Sequence, residues 1–264
     1  MNHVEMRLIE RVHAALRERA AETRVDQLVV GLGYTAVSLE DGGSGLAYTW
    51  RGPGKGCSHL TGLEEAEGAP ATGLLDLLLS DDGLERSVGL ATANAVNHAR
   101  ALGLPPDDGP AGALIRELGI VRGTRVSMVG HFAPVARVLT EVGVQLDVVD
   151  DAKGIGDRAS FARRLDEWTE ALVVTSTTLL GGTADELLGA VPDGVRVGLL
   201  GPTTPMLPEV FGGTPVALLC GMVPQDVQAL LRAVRHGAGT RQFQRHCRKV
   251  YCRVASGVGD RGRA

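Results

Sequence analysis

Aromatic side chains are scarce in this chain, with four Phe, three Tyr and two Trp among 264 residues. The core therefore has to be packed from Val, Leu and Ala, and platforms for stacking nucleic-acid bases are few. Long basic runs are absent too. The densest cluster is the Arg-rich tail from Arg241 to Arg263, and the formal net charge is −4. A concentrated positive face is lacking, so no nucleic-acid partner is expected. No stretch approaches the roughly 20 apolar residues of a membrane span. The first residues (Met1-Asn2-His3-Val4-Glu5-Met6) lack the charged-then-apolar order of a signal peptide. Four irregularly spaced cysteines make no disulfide scaffold. The expectation is a cytoplasmic protein with no membrane partner. G-x-S-x-G, Walker A and H-E-x-x-H motifs are all missing, which removes the hydrolase and kinase readings they would support.

Glycine is plentiful at 36 residues, and much of it follows apolar runs, where strands end and turn. Val4, Leu8, Val12, Leu16 and Ala20 recur every fourth residue, with Ile9 and Ala15 widening the stripe, so an amphipathic helix opens the chain. Short β-type runs follow at Gln27–Leu32, Tyr34–Leu39 and Gly45–Trp50, split by Asp41-Gly42-Gly43-Ser44, the pattern of a hairpin or small meander. Arg51 to Gly56 reads as a loop, and Gly73–Leu79 and Glu85–Leu102 as helices. The breaker cluster Pro105-Pro106-Asp107-Asp108-Gly109-Pro110 predicts a boundary, giving an α+β domain over residues 1–108 and a second domain over 109–264.

Beyond that cluster about five apolar runs alternate with helical segments. They are Val126–Gly130, Gln145–Asp150, Ala171–Thr175, Val195–Leu200 and Pro215–Leu219. Alternation of this kind predicts an α/β, Rossmann-like parallel sheet covered on both faces. In such a sheet ligands bind beyond the carboxyl ends of the strands. Gly130-His131-Phe132-Ala133-Pro134 follows the first strand, and Pro134 suits the first turn of a helix. His131 is a candidate metal ligand or proton carrier, with turn capping as the plainer alternative. Asp150 and Asp151 follow the second strand, where nucleotide-binding sheets hold a ribose hydroxyl. A single glycine in the first turn argues against a dinucleotide but leaves an adenosyl cofactor such as S-adenosylmethionine open.

After the third strand, Thr175-Ser176-Thr177-Thr178 leads through Gly181-Gly182 to Thr183, a candidate anion cradle built on Thr177, Thr178 and Thr183. Gly201-Pro202-Thr203-Thr204-Pro205 follows the fourth strand, with Gly201, Thr203 and Thr204 as candidate contacts. Cys220 reads as an inert buried thiol. Two other groupings, Cys57 with His59 and His246-Cys247 with Cys252, could supply metal ligands but lack zinc-finger spacing.

Several of these segments together resemble the putative heavy-metal chelation family. They are Val30–Val37, Gly89–Ala95, Val129–Pro134, Thr175–Thr183 and Gly201-Pro202-Thr203, in the same order and over nearly the whole chain. The resemblance implies an enolase N-terminal-like domain joined to the Rossmann-like one, with a shared site between them. It brings in Asn94 as a polar contact, and Asn97 follows on the same helix face. Family members carry Asn-Gly-Thr where this chain has Gly181-Gly182-Thr183. The function it implies is binding of a small anionic or metal-chelating ligand in the inter-domain cleft, with a transition metal or metal chelate as the cofactor or cargo. An adenosyl-dependent enzyme is the alternative, and a non-catalytic assembly component with a vestigial cleft a third; the partner expectation is a small-molecule or metal-chelate ligand, with a homo-oligomer open.

Overall fold

The structure is a computed structural model and describes residues 6–52 and 60–255. The N-terminal part comprises helix α1 (Leu8–Ala21), strands β1 (Val25–Val30), β2 (Tyr34–Leu39) and β3 (Ser44–Tyr48), and helices α2 (Thr72–Asp76), α3 (Gly83–Val96) and α4 (His98–Leu102). Helix α5 (Gly112–Glu117) leads into β4 (Arg125–Val129), α6 (Ala133–Val142), β5 (Gln145–Val149), α7 (Arg158–Glu167) and β6 (Ala171–Thr175). Then come α8 (Thr178–Gly181), α9 (Ala184–Gly189), β7 (Arg196–Leu200), β8 (Val216–Pro224), α10 (Val227–Arg235), α11 (Thr240–Phe243) and β9 (Cys247–Arg253).

Two sheets form, one of three antiparallel strands and one of six strands in the order β5-β4-β6-β7-β8-β9. Five strands of the larger sheet run parallel, and β9 joins antiparallel to β8. This is the mixed α/β architecture the alternating pattern predicts. Side-chain alternation divides the larger sheet's apolar residues between its two faces. Val126, Met128, Ala171, Val173, Leu218 and Cys220 pack with α5 and α6. Leu172, Val174, Val197, Leu199 and Leu219 share a second core with α7, α8, α9 and, continuously, with α1 and α3 of the N-terminal part. Each large apolar side chain buried this way contributes roughly 1.5–3 kcal/mol before entropy is counted.

The small sheet is a sandwich filling. Val37, Leu39 and Ala47 face the core that holds α1 and α3. Val29, Ala36 and Leu46 on its other face pack against Leu230, Leu231 and Val234 of α10 and Phe243 of α11. The helix after β8 therefore covers the N-terminal sheet as well as closing the C-terminal half.

Several element bounds differ from the sequence reading, each for a local reason. The helix expected over Glu85–Leu102 breaks at Asn97, whose ψ of 1° leaves the helical range between α3 and α4. In the opening helix, Leu8, Ile9, Val12, Leu16 and Ala20 are buried as expected, but Ala15 is exposed. The fifth parallel strand runs on through Cys220 to Pro224, and α10 starts only at Val227, where Asp226 caps the Ala229 N–H. Strand β9 was hidden in the Arg-rich tail, because Arg248, Lys249 and Arg253 mask its alternation. The breaker cluster is not a free linker. Pro106 bridges Val250, Tyr251 N–H donates to Pro105 O, and Asp107 N–H donates to Lys249 O, so the segment covers the exposed edge of β9. No helix among the described residues is long and apolar enough to cross a membrane.

Candidate functional site

Strand order reverses between β4 and β6, since the chain steps from β4 outward to β5 and returns past β4 to build β6, β7 and β8. The crevice of an open α/β sheet lies beyond the carboxyl ends of the strands at that reversal. Here the turns after β4 and β6 meet. Gly130 has φ +83°, and a Cβ on it would sit 2.8 Å from Thr175 Cγ2, so only glycine fits. The turn after β7 joins them: Gly201 has φ +132°, and a Cβ there would stand 2.9 Å from Ser176 Oγ and 4.0 Å from Phe132 Cζ. Ser176 itself is 1% exposed, and its hydroxyl makes no hydrogen bond among the described residues. A buried, unpaired hydroxyl where two glycine-shaped turns meet the turn after β6 is the most unusual polar group in this region.

The turn after β5 is tied to the same place through Asp150. Its Oδ2 accepts from the His131 backbone N–H at 2.8 Å and from Lys153 Nζ at 2.9 Å, and its Oδ1 accepts from the Lys153 N–H at 3.1 Å. Lys153 Nζ also donates to His131 O at 2.8 Å. Burial works against the Asp150 charge, but the His131 and Lys153 donors outweigh it and hold the carboxyl below its ordinary range. The carboxylate expected to meet a ribose is thus largely engaged in stapling the β4 and β5 turns together.

The other expected residues divide. Thr177 Oγ1 lies 3.0 Å from Thr175 Oγ1, and Thr178 Oγ1 donates to Thr175 O at 2.8 Å, so these hydroxyls brace their own turn. Thr183 is exposed and precedes α9 without capping it. Thr203 and Thr204 are 1% and 2% exposed. Thr203 Oγ1 accepts from the Tyr48 N–H, and Thr204 Oγ1 donates to Cys220 O, so each hydroxyl has an internal partner. Asn94 reaches across to the turn after β7, its Nδ2 donating to Leu46 O at 3.0 Å and, longer, to Thr203 O at 3.5 Å. Asn97 donates to Met206 O at 2.9 Å. These bonds suture β3 and α3 to the end of β7.

The seam between the two sheets also brings in residues the sequence reading passed over. Trp50, just past β3, covers Gly181: a Cβ on that glycine would be 3.1 Å from the indole. Its backbone N–H donates to Ser87 Oγ. Arg86, 7% exposed on α3, lies against Gly182. Arg86 and Trp50 have no local sequence signature. Ser176 alone could have been picked out, from its place inside the hydroxyl run.

A transition-metal cage fits poorly. Among the described residues no three His, Cys, Asp or Glu side chains come together. His131 lies at the crevice with its backbone held by Asp150 and Lys153, but without companion ligands of that kind. Cys247 and Cys252, five residues apart on β9, point to opposite faces, and burial pushes each thiol up to about 12. Cys57 and His59 lie outside the described residues.

Comparison with known proteins places these features in context. Profiles of two segments, both described as "Putative heavy-metal chelation", match residues 13–97 and 113–253. An uncharacterized protein of Methanocaldococcus jannaschii is 25% identical over 261 residues, covering 93% of this chain and 96% of the relative. A crystal structure from Pyrococcus horikoshii, of a protein with unknown function, superposes with a TM-score of 0.75 at 21% identity, covering 94% of this chain and 100% of that one. A second, from Desulfitobacterium hafniense, also of unknown function, gives 0.75 at 23% identity, with 93% and 97% covered. At these identities the two structures establish the shared fold.

Proposed function

This chain belongs to the family described as "Putative heavy-metal chelation", and from that premise we propose that it binds a small anionic metal chelate in the crevice beyond β4, β6 and β7. The chelate, in this reading, carries its own metal donors. The protein recognises the anionic shell through the Ser176 hydroxyl and the backbone of the Gly130 and Gly201 turns, with His131 at the rim. The division into residues 1–108 and 109–264 belongs to the same proposal, with the site where the Asn94 and Tyr48 bonds bring the two parts together.

The observation that carries the reading is the unpaired Ser176 hydroxyl where the Gly130 and Gly201 turns converge. A bare ion suits the described residues less, because they offer no grouped set of metal donors. Backbone and hydroxyl contacts instead suit oxygen-rich anions.

Isothermal titration with nickel(II) citrate, with citrate and with nickel(II) alone tests the proposal. Binding of the chelate is expected, with Ser176→Ala weakening it several-fold and His131→Ala less so. Failure of both chelate and citrate to bind the wild-type chain refutes it. Binding that neither Ser176→Ala nor His131→Ala disturbs does so as well.

A further inference from the structure

We infer that Arg86 supplies the charge contact for an oxyanion of the bound ligand, at the seam where α3 meets the Gly181-Gly182 turn. The inference rests on the anionic-ligand reading above and adds the group that would neutralise the ligand. Arg86 is 7% exposed, yet its side chain's one hydrogen bond to a described residue is a long one, from Nη2 to Asp81 O at 3.4 Å. Its Nε is buried without a partner among the described residues. No carboxylate among the described residues forms an ion pair with it.

A guanidinium whose Nε is withdrawn from water in this way is normally matched by a bonded anion, because that part of its desolvation is otherwise uncompensated. Desolvation indeed lowers its proton affinity, and Arg7 adds to that effect, whereas Asp81 and Asp82 act in the opposite direction. Neither acid closes on it, and Asp82 Oδ1 instead accepts from the Leu84 N–H at the start of α3.

The surroundings are consistent with an open coordination position. A Cβ on Gly182 would lie 3.4 Å from Nη1, so the guanidinium abuts the turn that follows α8. Gly182 and Thr183 are exposed, and the Thr183 hydroxyl caps nothing, leaving a solvent-facing side from which an anion can approach. The planar fork of an arginine matches a carboxylate or a phosphate equally well, so the shared chemistry is an oxyanion with two oxygens to present.

Titration of the full chain with citrate and, separately, with inorganic phosphate distinguishes the two sources, followed by calorimetry and thermal melting. Wild type is expected to bind one of them, and Arg86→Gln to weaken that binding at least tenfold. Arg86→Lys should fall between, keeping charge but losing the fork. Without titrant, Arg86→Gln should melt no lower than wild type, since a neutral amide replaces an unmatched buried cation. A merely structural arginine predicts the reverse, so an Arg86→Gln chain that unfolds, or melts several degrees lower, overturns the inference. Binding that Ser176→Ala weakens but Arg86→Gln spares overturns the role of Arg86 alone. If neither anion binds wild type, and nickel(II) citrate does not either, the anionic-ligand reading falls together with it.

Discussion

Replacing Asp150 by Asn removes one charge from the staple that joins the turns after β4 and β5, at nearly constant shape. Three donors converge on that carboxylate: the His131 N–H, the Lys153 N–H and Lys153 Nζ, at 2.8, 3.1 and 2.9 Å. The Asp150 side chain is 10% exposed while that of Lys153 is 54% exposed, so screening discounts the ion pair more than the backbone bonds. Hydrogen bonds to a charged acceptor are worth about 1.5–3 kcal/mol each and are not additive. An amide oxygen retains part of that, so Asp150→Asn should cost about 1–2 kcal/mol at neutral pH, and Asp150→Ala about 2–4 kcal/mol.

The pH dependence carries a definite sign. The folded-state pKa is depressed, so the charge contributes its full stability above the unfolded carboxyl value, and that contribution is lost as pH falls through the folded value. Urea unfolding followed by circular dichroism, at pH 7 and at steps below pH 4, reads the difference between wild type and Asp150→Asn. The difference should shrink toward zero across the acidic window while other carboxylates affect both chains alike. An Asp150→Asn chain as stable as wild type at pH 7, or a gap that persists unchanged at low pH, refutes the argument.

Three further outcomes are expected. Gly130→Ala places a Cβ 2.8 Å from Thr175 Cγ2 on a residue with φ +83°, and should destabilise by about 1–3 kcal/mol in the same urea assay. A cost below 0.5 kcal/mol would mean that the turn relaxes freely. Asn97→Ala leaves Met206 O without its donor and should lower stability by about 1–3 kcal/mol; unchanged melting would show that the suture between α3 and the segment after β7 is replaceable. Cys252, buried and with its thiol pushed up to about 12, should react with Ellman's reagent at pH 8 only once denaturant is added. Rapid labelling of the native chain at that position contradicts its burial.

The α/β class, the parallel strands and the glycine-marked turns at their ends were legible from the sequence. Each depends on chemistry within a few residues: apolar runs such as Ala171–Thr175, followed by a residue that can take a positive φ or open a helix. Gly130, Gly201 and Asp150 were recognisable for the same reason, since they lie next in the chain to the strands they terminate. Strand β9 was not, because an edge strand with Arg248 and Lys249 on it carries no clear alternation.

What only the tertiary structure decided is which of those turns still has a free polar group. Thr203 and Thr204 look alike in a string of hydroxyls, but Tyr48 and Cys220, brought in from other strands, engage them differently, the first as donor to Thr203 and the second as acceptor from Thr204. Ser176, between two threonines that brace their own turn, is left unpaired because Gly201 brings only a Cα toward it. Arg86 gains its meaning from the approach of Gly182, 96 positions along the chain. Hydrogen-bond satisfaction is a property of everything that surrounds an atom in space, and most of those neighbours lie far away in sequence.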